Sequence, residues 1–180
     1  EVLSVKKEGD LIRLNTTSGD MQAKVVLVGT GSSYVKLGVP GEEEFYGRGV
    51  HNCATCDGAF YRDKHLVVVG SGNSAAQEAL YLTRYATNID ILIRGDAWKA
   101  SDVLIHEVDK NPKLKVHFNT TTEEIVGEEG KVVKVVGKDK VSCKTKEVPT
   151  DGVFVLVGLK PVTDFLQGSG VELDERGFVK

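Results

Sequence analysis

Three cysteines in 180 residues are too few to staple a secreted disulfide framework. Two of them, Cys53 and Cys56, are spaced C-x-x-C and Cys143 stands alone, a usage that favours a redox or metal role in the cytoplasm. Long apolar runs are also missing. The longest, Lys24–Val28 and Leu66–Val69, fall far below the roughly 20 residues that cross a bilayer, and no signal peptide is visible. Nor does one sign of charge dominate: 23 basic and 26 acidic residues are interspersed, so no single-signed field exists to attract nucleic acid or an anionic membrane. There is no internal repeat and no low-complexity tract. What is left is an ordinary globular composition, long enough for one domain or for one domain with pieces of another. The chain opens at Glu1 and closes near Lys180 in strand-like sequence, so the expectation is a segment of a longer protein.

Turn chemistry at Glu8-Gly9-Asp10 and Ser18-Gly19-Asp20 separates three β-compatible runs, Val2–Val5, Leu11–Thr16 and Met21–Val28, which predict an antiparallel meander. The last run loses its alternation at Val25–Val28, the pattern of a strand buried on both faces. Gly38-Val39-Pro40-Gly41 cannot continue a helix or a central strand and predicts a domain crossing. A second crossing is expected at Pro149–Gly152, followed by a buried-type strand over Val153–Val157, with the two flanks paired to each other. Between the crossings the order is strand (Leu66–Val69), helix (Ser74–Tyr85), strand (Ile89–Ile93), helix (Ser101–Lys110) and strand (Lys115–Phe118). That order demands right-handed crossovers and a parallel, Rossmann-like α/β sheet. Ile125–Val148 predicts an added β-meander with turns at Gly127–Gly130 and Gly137–Asp139, and Cys143 as a half-buried strand residue.

Gly70-Ser71-Gly72-Asn73-Ser74-Ala75 fits G-x-G-x-x-A after a strand and at a helix start. Gly70 permits the tight turn, Gly72 lets backbone approach a pyrophosphate, and Ala75 lets helix pack on strand. Free N–H groups at the helix start, with Asn73 and Ser74 among them, would hold the phosphates. At the end of the next strand Arg94 and Lys99 offer charge-assisted bonds to a 2′-phosphate, which favours NADPH, while Asp96 is close enough in sequence to bind ribose as in an NADH enzyme. A solvated loop is the alternative for both basic residues. The other glycine cluster, Gly29-Thr30-Gly31, is rejected as a nucleotide turn because Tyr34 occupies the sixth position and Gly38 and Pro40 leave no room for a helix.

Cys53-Ala54-Thr55-Cys56-Asp57 at a helix start suits thiol–disulfide exchange, because backbone N–H groups favour a thiolate there. Asp57 is a candidate acid/base for a leaving or incoming thiol, or else a surface turn acid. Zinc needs four ligands, and Cys143 with His51, His65, His106 and His117 does not supply them at metal spacing; the histidines are expected to be ordinary.

C-A-T-C-D-G at 53–58, ahead of V-V-V-G-S-G-N-S-A and then D-G-V-F-V-L-V-G-L-K-P, resembles the low-molecular-weight thioredoxin reductases over essentially the whole chain and the middle of that family's length. The resemblance implies residues 46–151 as an NAD(P)H-binding domain carrying the redox pair, with 1–45 and 152–180 belonging to an FAD domain. It implies that electrons pass from NADPH, or NADH, through FAD to a Cys53–Cys56 disulfide. Cys56 would face the flavin, Cys53 would attack a thioredoxin-like protein disulfide, and Asp57 would serve as acid/base. Glu78 and Gly158 join Gly70, Gly72, Asn73, Ser74, Ala75, Arg94 and Lys99 as expected cofactor contacts. The resemblance implies a homodimeric parent and crossings that act as hinges. The family's flavin-binding glycine motif is not in this sequence, so FAD is expected of the parent and not of these residues alone. One arginine of the family's phosphate-reading cluster is replaced by Gly95, which leaves NADPH and NADH both open. A reductase serving a peroxidase or a glutaredoxin-like partner, or a non-catalytic nucleotide-binding module, are the alternative functions.

Overall fold

The computed structural model describes residues 1–180 and divides into two compact units, Glu1–Ser33 with Leu159–Lys180, and Tyr34–Gly158. In chain order the strands are β1 (Val2–Glu8), β2 (Leu11–Thr16), β3 (Met21–Ala23), β4 (Ser32–Tyr34), β5 (Val50–His51), β6 (His65–Val69), β7 (Asn88–Leu92), β8 (Leu114–His117), β9 (Thr120–Glu128), β10 (Lys131–Asp139), β11 (Thr145–Pro149), β12 (Gly152–Val155) and β13 (Leu159–Pro161). The helices are α1 (Ala54–Asp57), α2 (Asn73–Leu82) and α3 (Asp102–Lys110). No helix is long and apolar enough to cross a membrane.

In the first unit β1, β2 and β3 form the expected antiparallel meander. Asp20 fixes its second turn by accepting from Arg13 and Asn15. The return segment is tied in where Thr30 Oγ1 donates to the Val162 carbonyl at 2.6 Å and Val162 N–H donates to Gly31. The third strand is shorter than its apolar run predicts. It stops at Ala23, and Val25 and Leu27 stand 82% and 95% exposed. An apolar run is buried on both faces only where neighbouring strands cover it, and none of these residues does so here.

The second unit is a three-layer α/β body. Its parallel sheet has the order β5-β12-β6-β7-β8. Alternation along each strand divides two cores. Leu66, Val68, Ile89, Ile91 and Phe154 face α1, α2 and α3 and pack on Ala75, Ala76, Ala79 and Leu82. Val67, Val69, Leu92, Val153 and Val155 face the antiparallel β9–β11 sheet and pack on Ile125, Val135 and Phe45. The unbroken Val/Leu runs thus reflect burial on both faces, the signature of interior parallel strands.

β12 departs from expectation. Val153–Val155 pairs with β5 and β6 in the middle of this sheet instead of with the N-terminal flank, and the compact unit runs from Tyr34 to Gly158. The sequence pattern reports that the strand is buried, but not which sheet buries it. Two meander expectations also change. Gly137 sits within β10 beside a register shift, where an added Cβ would lie 2.6 Å from the Thr121 carbonyl oxygen, so the glycine serves close backbone approach and not a turn. The turn comes later. Asp139 Oδ1 accepts from Val141 and Ser142, and Cys143 stands exposed at φ 57° instead of half-buried in a strand.

Two of the histidines are less ordinary than expected. His65 Nε2 lies 2.6 Å from Asp90 Oδ2, His117 Nε2 bonds Asp90 Oδ1, and the Lys146 ammonium donates to His117 Nδ1. Burial pushes the Asp90 carboxyl up, but the bonds from His117 and His65 outweigh it and hold it below the usual carboxylate range.

Candidate functional site

β5 delivers the chain to the sulfur pair. Asn52 donates to the Val155 carbonyl at 2.8 Å, locking the end of β5 against β12, and Cys53 then caps the four-residue helix α1. Cys53 and Cys56 are joined by a disulfide with their Cα atoms 5.3 Å apart. The Cys53 Sγ accepts the Cys56 N–H at 3.3 Å and lies 3.3 Å from the Thr55 hydroxyl. Cys53 is half-buried, and Cys56, Ala59 and Phe60 are exposed.

Asp57 is held from behind. Its Oδ2 lies 3.0 Å from His51 Nδ1, and His51 Nε2 lies 2.7 Å from the Tyr61 hydroxyl. Burial, then the charges of Asp57 and Asp151, push the Tyr61 phenol up to about 12, so it keeps its proton and donates to Nε2. That leaves Nδ1–H to donate to Asp57, which fixes the tautomer from the network. His51 is itself buried and stacks on Phe154 with ring centroids 5.4 Å apart. Sequence reasoning passed over His51. Its place two residues before the C-x-x-C was the available signal, and the partnership with Asp57 appears only once the chain turns through α1.

The glycine turn opens into a cavity of about 660 Å³ at the carboxyl ends of the parallel strands. Gly70 has φ +148°, and a Cβ there would stand 2.3 Å from the Leu156 carbonyl oxygen. Gly72, by contrast, has nothing within 4 Å of a Cβ, so its backbone faces open space. The first N–H groups of α2 have no acceptor within the helix, and no side chain caps them. A diphosphate fits this cradle on both counts.

Of the expected cofactor contacts, Gly70, Gly72, Asn73, Ser74, Arg94, Lys99 and Gly158 line the cavity. Asn73 also accepts the Ser101 N–H at 2.8 Å, and Lys99 N–H donates to the Ser71 carbonyl at 2.8 Å, which ties the basic loop to the glycine turn. Arg94 and Lys99 are exposed there and make no ion pair, whereas Asp96 does not line the cavity. Two expected contacts lie elsewhere. Ala75 is fully buried under the turn, and Glu78 reaches the Ala54 N–H beside the sulfur pair. Thr120–Glu123 and Val35–Leu37 complete the wall and were not anticipated, because both come from segments remote in sequence.

All of residues 1–180 match the family described as pyridine nucleotide-disulphide oxidoreductase. The thioredoxin reductase of Treponema pallidum (strain Nichols) is 38% identical over 179 residues, covering 99% of this chain and 57% of that protein. That of Bacillus subtilis (strain 168) is 41% identical over 163 residues, 91% of this chain and 51% of its own length. Among solved structures, thioredoxin reductase from Lactococcus lactis superposes with a TM-score of 0.88 at 35% identity, covering 99% of this chain and 59% of that one. The enzyme from T. acidophilum gives 0.87 at 38%, with 99% and 59% covered. The chain spans about half the length of the curated relatives it matches. A cavity at a G-x-G-x-x-A turn and a C-x-x-C disulfide within one folded unit agree with that likeness, and the chain belongs to the pyridine nucleotide-disulphide oxidoreductase family.

Proposed function

We propose that this chain is the nucleotide-binding and dithiol-bearing part of an NAD(P)H-dependent reductase of a thioredoxin-like protein disulfide. The observation that carries the reading is that the Tyr34–Gly158 unit holds both the Cys53–Cys56 disulfide and the glycine-turn cavity. That unit is the proposed NAD(P)H domain, and the flanks are proposed to belong to a flavin domain. A dithiol that must be reopened by a cellular reductant suits the cytoplasm.

The diphosphate of the nucleotide would lie on Gly72 and the start of α2, and Arg94 and Lys99 would meet a 2′-phosphate. When bound, the nicotinamide supplies two electrons as a hydride. FAD is the cofactor that the resemblance implies for relaying them. These residues do not by themselves make its site, since the flavin glycine motif is not among them and Gly29–Gly31 leads into β4 and not into a helix, so no step is assigned to it.

In the exchange step Cys53, as thiolate, attacks one sulfur of the partner disulfide and forms a mixed disulfide. The displaced partner sulfur takes a proton from Asp57, whose other side is held by His51. Cys56 gives its proton to the Asp57 carboxylate left by that transfer and attacks Cys53, closing the Cys53–Cys56 bond and releasing the second partner sulfur, which takes the proton back from Asp57. Two electrons and two protons reach the partner in all.

The test is NAD(P)H-dependent reduction of thioredoxin by the enzyme that carries this segment, with Cys53→Ser and with Cys56→Ser. Loss of turnover in both supports the reading, and turnover that survives either change refutes it. For the nucleotide, Arg94→Ala should weaken NADPH about tenfold or more while leaving NADH little changed, since charged hydrogen bonds contribute about 1.5–3 kcal/mol. Equal losses for both nucleotides would remove Arg94 from that role.

A further inference from the structure

Glu78 is a half-buried carboxylate that the exchange scheme leaves unused. It lies on α2, the helix whose first residues line the cavity, yet its Oε2 accepts the Ala54 N–H at 2.7 Å. Ala54 follows Cys53 and begins α1, so this carboxylate is bonded to the backbone of the loop that the Cys53–Cys56 bond closes. Ala54 is fully buried, which keeps water from screening the contact. Burial pushes the Glu78 carboxyl up and the Ala54 bond opposes that rise.

The oxidised pair carries no charge. Reduction breaks the sulfur–sulfur bond, takes in two electrons and two protons, and yields two thiols, one of which then releases a proton to become the thiolate that attacks. That thiolate forms in the loop whose backbone the Glu78 carboxylate holds from α2, and like charges in a half-buried site disfavour one another. The carboxylate also occupies an N–H group that would otherwise be free to stabilise a sulfur anion.

We infer that Glu78 is a positioning residue of the dithiol: its charge, seated on Ala54, disfavours the thiolate and makes the Cys53–Cys56 pair the stronger reductant. Other groups facing this loop act differently. Asp57 follows Cys56 but is turned to His51, with Tyr61 behind it, and the Thr55 hydroxyl near Cys53 is neutral. Only Glu78 sets a carboxylate on the loop's own backbone. The inference rests on the dithiol of the proposed function and needs neither its partner nor its cofactors.

The test uses this chain with Glu78→Gln, which keeps an acceptor for Ala54 without the charge, and with Glu78→Ala, which removes both. Each protein is equilibrated with glutathione, two molecules of which form one glutathione disulfide as the Cys53–Cys56 bond opens. The reduced forms are also alkylated with iodoacetamide across pH. Both variants should lower the alkylation midpoint of the more acidic thiol by about one pH unit, the size of shift a nearby like charge produces. Near about pH 9 their equilibrium constants for reduction should exceed wild type by about tenfold, or about 30 mV toward a stronger oxidant. Toward about pH 6, where the thiols stay protonated, the difference should close. A shift in Glu78→Ala alone, or in neither variant, overturns the inference and leaves the proposed function standing. Failure of the wild-type pair to equilibrate at all overturns both.

Discussion

Asp57 and Asp90 each bind an imidazole within the same unit, yet only one oxygen of Asp57 is engaged and its side chain is 31% exposed, whereas both oxygens of Asp90 are taken and it is 14% exposed. A carboxylate that trades protons with a sulfur needs a lone pair to spare and a path to it. One saturated by two imidazoles under a sheet is fixed in place. The same two residue types therefore give the proposed acid/base at the end of α1 and a structural tie across β6, β7 and β8. Number of partners and access decide which.

Amide substitution separates the two most sharply. Asp57→Asn should slow reduction of oxidised thioredoxin by the reduced chain by about 10²-fold or more, the usual worth of a general acid. Asp90→Asn should leave that rate unchanged per folded molecule. Stopped-flow exchange measures both, and equal losses would erase the distinction. In denaturant melts the order reverses. Asp90→Asn turns an amide N–H toward an imidazole N–H and should cost about 3 kcal/mol, against less than about 1 kcal/mol for the more exposed Asp57→Asn. His51→Phe should lower the exchange rate about tenfold, at the weak end of general acid–base effects. Unlike a packing defect, it should also displace the pH profile of exchange, while His65→Phe should not.

The smallest effect is in the acid limb. The folded Asp90 carboxyl lies below its ordinary value of 3.8, so its stabilisation is complete above that value and is lost as pH falls through the lower folded one. Wild type and Asp90→Asn should therefore converge in stability only below about pH 4. Convergence near neutrality would mean that the imidazoles and not the carboxylate set the energy.

The parallel sheet and its glycine turn were legible because one-dimensional signals suffice for them. Leu66–Val69 followed by Gly70-Ser71-Gly72 reads as strand and turn wherever it falls, and the Asp102–Lys110 helix follows from its own spacing. The C-x-x-C was equally plain. What escaped depends on partners far along the chain. Whether β12 joins β6 or the N-terminal flank, whether Val25–Val28 is covered, and whether His51 meets Asp57 are decided by packing between segments. Glu78 shows the limit most clearly. The resemblance placed it among the nucleotide contacts, whereas the helix turn it occupies aims it at Ala54.

The uncovered run after β3 has a practical outcome. Val25, Leu27 and Val28 leave a strip of hydrocarbon in contact with water, and such a strip lowers its free energy by finding any other greasy surface. Solutions of the isolated chain should thus become colloidally unstable as concentration or sulfate rises, with light scattering growing before any loss of helix signal. Replacing Leu27 with lysine should clear the solution while leaving the sulfur chemistry untouched.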